Sequence, residues 1–300
     1  MSGHHHHDHG PARYDRAFAI GISLNLAFVI AEAIYGARAH SLSLTADAGH
    51  NLGDVLGLGL AWVGTILAAR RPTTRRTYGL RRFSILAALG NAGFLLIAVG
   101  AIAVEALHRV RNPGPVATGT VIVVAAIGIC INVGTAIGFM RGRKSDLNIH
   151  GAWLHMMGDA AASAGVVIAA AGIAFTGWTW IDPVVSLVLV ALITAGSWGL
   201  LRDSLNLALD AVPPGIDTEE VTAYLGSLPG VSDVHDVHIW GLSTTHAALT
   251  AHLVVPAGGN TDALIASACR HLHDNFGIEH ATVQIEHRHL SHECTLGGVA

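Results

Sequence analysis

Long apolar runs separated by short polar connections make up the first two thirds of the chain. A helix needs about 20 mostly apolar residues to cross the roughly 30 Å hydrocarbon core of a bilayer. Six runs reach that length, at residues 15–36, 41–69, 83–107, 116–139, 147–176 and 180–200. The pattern predicts a polytopic α-helical membrane protein whose six transmembrane helices lie in residues 13–202.

The pattern changes after Asp210. The stretch DAVPPGIDTEEV contains the Pro-Pro-Gly of a linker and a helix N-cap at Asp217 or Thr218. The segments that follow predict a small α+β domain of residues 203–290. Its predicted elements are a helix at 217–228, strands at 232–240 and 247–255, a helix at 261–275 and a strand at 280–288. In that last strand, alternation predicts one face with Val283, Ile285 and His287, and another with Thr282, Gln284 and Glu286.

Two short tails complete the predicted organisation. Residues 1–12 include HHHHDH, which is either a natural His-rich segment or the remnant of a purification tag. Residues 291–300 carry a further His and Cys294 and are predicted to be a flexible C-terminal tail.

Composition and charge agree with a membrane protein. The chain is 51% hydrophobic and 13% charged, and its formal net charge of -4 with a single lysine gives no basic surface for nucleic acid. Basic residues concentrate in alternate connections, which predicts that both termini are cytoplasmic. Only Arg38, Arg109 and Arg111 fall on the outer side, against an inner set of Arg13, Arg16, Arg70, Arg71, Arg75, Arg76, Arg81, Arg82, Arg141, Arg143, Lys144 and Arg202.

Two of the apolar runs contain the same pair of metal-ligand residues at the same spacing. The second run has His50 and Asp54, and the fifth has His155 and Asp159. Residues four apart share one face of a helix, so each pair can direct two ligands at one point. Two such helices side by side supply two nitrogens and two oxygens, which fits the tetrahedral preference of Zn²⁺. The spacing predicts one four-ligand site between two helices.

Polar contacts between helices are the competing interpretation of any one such pair. An ionised Asp at the bilayer centre costs about 2.5–3.5 kcal/mol on insertion scales, so ionisable residues there indicate function. Because the motif occurs twice, a metal site is the favoured interpretation. Asp47 lies three residues before His50 on the same face and is predicted to be accessory, at the periphery of the site. His150 is predicted not to be a ligand.

Several segments in family order resemble a cation diffusion facilitator, a zinc-type divalent metal cation/proton antiporter. They include SLSLTADAGHNLGDVLGLGLAW, RRTYGLRRFSILAALGNA, VEALHRVRNPGPV, LNIHGAWLHMMGDAAASAGV, WIDPVVSLVLVAL, LRDSLNLALDAVP and GVSDVHDVHIWGL. The resemblance implies a six-helix membrane domain and a cytoplasmic, metallochaperone-like C-terminal domain. It also implies a homodimer that exports metal from the cytoplasm in exchange for protons. It implies the same transport site of His50, Asp54, His155 and Asp159, and the His at the first of these positions resembles the zinc-selective branch.

The resemblance also implies a second metal site in the C-terminal domain, formed by His235, His252 and Glu286. Gln284 stands where some members have His, and Cys294 with nearby histidines could complete the site in trans. Two features depart from the family pattern. The loop RRPTTRRTYGLRR has no Asp or His, so the additional loop site of some members is expected to be absent, and Ser84 replaces the usual Glu of FEILAA.

The chemistry of the four predicted ligands links metal binding to protonation, because imidazoles bind metal when neutral and carboxylates when ionised. The sequence therefore predicts zinc efflux by alternating access, driven by protons, with Cd²⁺, Co²⁺ or another divalent ion as the alternative substrate. A membrane-embedded zinc metalloenzyme and a membrane-anchored metal sensor are rival functions. Four protein ligands leave no open coordination position for an enzyme, and six spans exceed what an anchor needs. The expected location is the lipid of a bacterial inner membrane.

Overall fold

The computed structural model describes residues 14–68, 70–140, 147–256 and 261–288. The chain divides into two compact units, one of residues 1–59 with 91–198 and one of residues 60–90 with 199–300. The predicted tails at 1–12 and 291–300 lie outside the described residues.

All six apolar runs are helices. Their bounds are α1 Tyr14–Arg38, α2 Leu42–Ala68, α3 Phe83–Arg111, α4 Thr118–Phe139, α5 Leu147–Thr176 and α6 Ile181–Ala208. The last helix ends eight residues beyond its predicted run, which ends at residue 200. Five of the eight residues that follow are Leu, Arg or Ala, which favour a helix, and α6 ends at Ala208, two residues before Asp210, whose φ of 60° precedes the Pro-Pro linker.

Four of these helices are long and apolar enough to cross a membrane, judged over the described residues: α3, α4, α5 and α6. The two others, α1 and α2, have 25 and 27 residues, a length that spans a bilayer at 1.5 Å per residue. They also carry buried Glu32 and Asp47. The molecule is therefore an integral membrane protein with at least these four membrane-spanning candidates among the described residues.

Apolar side chains from several helices form the core of the first unit. The fully buried residues include Leu44 of α2, Val99 of α3, Val121 of α4 and Val166 of α5. Small residues allow close approach between helices, as at Gly36 of α1, which lies against Thr45 of α2. This packing holds α2 and α5, the two helices with the repeated motif, within one core.

The C-terminal domain is an α+β fold with a three-stranded mixed sheet. Its elements are α7 Thr218–Gly226, β1 Asp233–Gly241, β2 Ala247–Val254, α8 Thr261–Phe276 and β3 Ile278–Glu286. Asp217 is the N-cap of α7, because its carboxylate accepts hydrogen bonds from the backbone N–H of Glu219 and Glu220. The strand order is β1-β2-β3, with β1 antiparallel and β3 parallel to the central β2.

The last strand begins and ends two residues earlier than predicted. Gly277 ends α8 with a φ of 66°, and the next residue, Ile278, is buried and pairs with Ala247. The strand therefore ends at Glu286, and His287 lies beyond it rather than on a shared face with Val283 and Ile285.

Candidate metal centres

The two His-x-x-x-Asp pairs meet between α2 and α5. His50 Nε2 lies 3.3 Å from Asp159 Oδ1, and His155 Nε2 lies 3.3 Å from Asp54 Oδ2. Within each helix, the His and Asp of one pair approach to 3.7 Å. The imidazole rings of His50 and His155 are nearly perpendicular, with centroids 6.1 Å apart. Each histidine thus contacts the carboxylate of its own helix and the carboxylate of the other.

These distances suit a tetrahedral ion. Ligand atoms at about 2.0–2.1 Å from Zn²⁺ are about 3.4 Å apart along a tetrahedron edge, close to the 3.3 and 3.7 Å observed. Ligand atoms of His50, Asp54 and Asp159 all lie within 4.8 Å of one another. Asp54 Oδ2 is buried and lies between the two imidazoles, 3.3 Å from His155 Nε2 and 3.7 Å from His50 Nε2. An acceptor oxygen in that position suits a cation.

Asp47 is buried beside this site but is held by another group. Its Oδ2 accepts a hydrogen bond of 2.7 Å from the Ser163 hydroxyl of α5. On α1, Glu32 is also buried, and its Oε2 accepts a hydrogen bond of 3.1 Å from Asn51 Nδ2 of α2. Glu32 is not among the residues predicted from the sequence, although an ionisable residue inside an apolar run is the signal that identifies it.

The start of α2 is fixed by a carboxylate from α6. Asp182 accepts hydrogen bonds from the hydroxyls of Ser41 and Ser43, each 2.6 Å long, and from the backbone N–H of Leu42 at 2.7 Å. Asp182 thereby serves as a cap for the first turn of α2, although it lies some 140 residues away in the chain. This contact restrains the helix that carries His50 and Asp54.

The C-terminal domain brings together the three residues predicted there. His235 of β1 pairs directly with His252 of β2, and Glu286 ends the adjacent β3. Glu286 Oε1 lies 3.0 Å from His252 Nδ1, and Glu286 Oε2 lies 3.6 Å from His235 Nε2. Glu286 is 3% exposed, so its carboxylate is nearly enclosed by the two imidazoles and by Gln284, which donates a hydrogen bond to it.

A bulge in β1 adds an acidic residue that the strand pattern does not predict. The register of β1 and β2 shifts between His235 and His238, and Asp236 has a φ of 54°. Asp236 Oδ1 lies 2.9 Å from His238 Nε2, and Oδ2 lies 3.7 Å from His252 Nε2. Strict alternation would direct Asp236 to the opposite face, so only the bulge brings it near His252.

The other histidines proposed for this region fall elsewhere. His287 lies beside the backbone, with Nδ1 3.3 Å from the carbonyl oxygen of Val255. Cys294, His289 and His292 lie outside the described residues, and so does the side chain of His150.

Comparison with protein families matches both parts of the chain. Residues 18–207 match the family described as "Cation efflux transmembrane domain". Residues 213–288 match "Cation efflux protein, cytoplasmic domain". The gap between the two matches, residues 208–212, lies directly before Pro213 and Pro214 of the linker, where the sequence pattern also changes.

Similar proteins match over nearly the whole chain. The "Cation efflux system protein CzcD" of Alcaligenes sp. (strain CT14) is 36% identical over 95% of this chain and 90% of its own length. The "Cadmium, cobalt and zinc/H(+)-K(+) antiporter" of Bacillus subtilis (strain 168) is 32% identical over 96% and 94%. The "Zinc transporter ZitB" of Escherichia coli (strain K12) is 35% identical over 90% and 86%. A solved structure, "Metal-bound C-terminal domain of the CzcD transporter from Cuprividus metallidurans", is 35% identical over 24% of this chain and 99% of that one, with a TM-score of 0.21.

Proposed function

This chain belongs to the cation diffusion facilitator family and is a divalent-metal efflux transporter rather than an enzyme, and we propose that it exports Zn²⁺ in exchange for protons. Membership confirms the resemblance drawn from the sequence motifs. The observation that carries the proposal is the meeting of His50, Asp54, His155 and Asp159 across α2 and α5.

Zinc is the proposed substrate because of the donor set. Two imidazole nitrogens and two carboxylate oxygens suit Zn²⁺, whereas Mg²⁺ and Ca²⁺ prefer shells made of oxygen alone. The spacing of the groups supports a four-coordinate ion, since the two contacts across the helices are 3.3 Å long. Two relatives support the same substrate class, one named as a zinc transporter and one as an antiporter of cadmium, cobalt and zinc. Cd²⁺ and Co²⁺ are the alternative substrates.

Protons are the proposed counter-ions. A ligand that binds a proton loses the lone pair or charge that holds the metal, so metal and protons compete for the same groups. At the near-neutral cytoplasmic side the site binds Zn²⁺, and at a more acidic exterior it takes up protons and releases the ion. The two Asp carboxylates also offset the charge of Zn²⁺, which lowers the cost of holding the ion between helices.

We also propose that all six helices, α1 to α6, cross the membrane with both termini in the cytoplasm of a bacterial cell. The concentration of Arg in alternate connections supports this orientation. The C-terminal domain is proposed to join two copies in a homodimer, in keeping with its match to the cytoplasmic domain of cation efflux proteins. His235, His252 and Glu286 are its proposed metal ligands.

Reconstituted protein tests the transport site directly. Proteoliposomes with an imposed pH gradient should show zinc flux with the wild-type chain and none with His50→Ala or Asp159→Ala. His108→Ala and Asp203→Asn are matched controls, because both residues are exposed and lie outside the site, and both variants should transport normally. Near-normal zinc flux in His50→Ala and Asp159→Ala would falsify the assignment. Flux of Cd²⁺ or Co²⁺ that exceeds Zn²⁺ in competition would favour the alternative substrate.

A further inference from the structure

A second pair of carboxylates lies about one helical turn from the proposed transport site. Glu32 of α1 and Asp47 of α2 are 0% and 1% exposed, and their carboxyl groups are within hydrogen-bonding reach of each other. Asp47 precedes His50 by three residues, and its partner Ser163 follows Asp159 by four. Asp47 on α2 and Ser163 on α5 are therefore both displaced from the proposed metal ligands, toward the N-terminal end of α2 at Leu42.

The hydrogen bonds of this pair leave one carboxylate oxygen without a donor. Asp47 Oδ2 accepts from Ser163, and Glu32 Oε2 accepts from Asn51. Glu32 Oε1 is buried and, within the described ranges, no donor reaches it. A buried acceptor without a donor is costly, and the adjacent carboxylate of Asp47 supplies none when it is ionised.

No fixed positive charge compensates the pair in the part of the chain that the structure describes. Asp47 is the ionisable group that faces Glu32, while His50 and Asp159 are those that face Asp47 on the other side. The sequence of α4, which packs against α1, contains no Asp, Glu, Lys, Arg or His, and its Cys130 is exposed. Two ionised carboxylates in contact repel strongly in a medium of low dielectric, so the pair requires a bound cation.

We propose that Glu32 and Asp47 form a proton-binding site that takes up a proton when metal leaves the transport site and releases it when metal enters. The proton supplies the donor that Glu32 Oε1 lacks and removes one negative charge from the pair. A divalent ion held by His50 and Asp159 acts electrostatically on Asp47 and favours the ionised pair. By linkage, protonation of the pair then favours departure of the metal. This inference rests on the proposed metal–proton exchange and adds a titrating element that is not a metal ligand.

The proposed exchange can be observed in the full chain by infrared difference spectroscopy on addition of Zn²⁺. The wild-type protein should lose the carbonyl stretch of a protonated carboxylic acid as zinc binds. That band should be missing from the difference spectra of Glu32→Gln and Asp47→Asn and retained in Asp203→Asn, a control at an exposed Asp of α6. A wild-type spectrum without the band overturns the proposal, as does a band that survives in both variants.

Flux measurements provide the second test. The ratio of protons to zinc ions in proteoliposomes should fall by about one in Glu32→Gln, while equilibrium zinc binding stays within about threefold of wild type. An unchanged ratio contradicts the proposal, and so does dependence of the flux on K⁺ or Na⁺ in place of pH, which would identify a metal cation as the occupant. Absence of zinc flux in the wild-type chain contradicts the proposed function instead, and the infrared experiment still tests the pair on its own.

Discussion

The carboxylate of Asp182 accepts a hydrogen bond from the hydroxyl of Ser41, which lies 2.6 Å away in space and 141 residues earlier in the chain. Asp182 is 2% exposed and also bonds the first backbone N–H groups of α2. A single residue of α6 therefore satisfies polar groups that the start of α2 would otherwise leave unpaired inside the protein.

Removing this acceptor should destabilise the membrane domain. We expect Asp182→Ala to lower the free energy of unfolding by about 3 kcal/mol, because buried hydroxyl and N–H groups lose their partner. Asp182→Asn retains one acceptor oxygen and should cost less. Thermal unfolding of the purified protein in detergent measures both, with the exposed Asp203→Ala as the control. Equal melting temperatures for Asp182→Ala and wild type would show that these hydrogen bonds contribute no net stability.

Replacing one nitrogen ligand by oxygen should change the metal preference of the transport site. We expect His50→Asp to reduce zinc uptake on the order of tenfold and to favour harder ions such as Mn²⁺, because the site would then hold three carboxylates and one imidazole. Competitive uptake of Zn²⁺ and Mn²⁺ in proteoliposomes measures the ratio. The preference for zinc should be unchanged in His108→Asp, whose substitution lies at the exposed end of α3, and an unchanged preference in His50→Asp would argue against direct ligation.

The two candidate centres should bind metal independently. The reference protein for this test has Ala in place of the five histidines at positions 4, 5, 6, 7 and 9 and is otherwise unchanged. Isothermal titration should detect about two zinc ions per reference chain. Each of His50→Ala and His252→Ala should bind about one ion fewer, whereas the double variant should bind neither. If His252→Ala still binds about two zinc ions per chain, then His235, His252 and Glu286 do not form a metal site.

Close packing of α1 on α2 should depend on the absence of a Cβ at Gly36. A Cβ added there would lie 2.9 Å from Thr45 Oγ1 and 3.2 Å from the Thr45 backbone nitrogen. Because the backbone of α2 cannot yield as a flexible side chain does, we expect Gly36→Ala to cost about 1–3 kcal/mol. Gly100→Ala provides the matched control, since nothing lies within 4 Å of its added Cβ. Thermal unfolding should separate the two variants, and equal stability would show that the helices can move apart freely.

Helical periodicity predicts that His50 and Asp54, and likewise His155 and Asp159, share one face of a helix, because residues four apart lie on the same side. Periodicity does not predict which residues of α1 and α6 face α2, so the contact of Glu32 with Asp47 and the hydrogen bonds from Asp182 to the start of α2 are visible only in the tertiary structure. Strand alternation likewise grouped Glu286 with Gln284 but could not anticipate the bulge that turns Asp236 toward His252. Local periods follow from backbone geometry, whereas partner choice and bulges depend on packing between segments far apart in sequence.

Two kinds of contact connect the four ligands of the proposed transport site: contacts within one helix and contacts between α2 and α5. The contacts within His50–Asp54 and within His155–Asp159 run along a helix and keep their length as long as that helix stays intact. The contacts of His50 with Asp159 and of His155 with Asp54 run between α2 and α5 and change whenever those helices slide or separate. A relative shift that moves the ligands of one helix beyond bonding distance of the ion would divide the tetrahedron into two pairs of ligands, neither of which can enclose an ion alone. The affinity of the site for the transported ion would then depend on the distance between α2 and α5, even if no ligand side chain changed its rotamer.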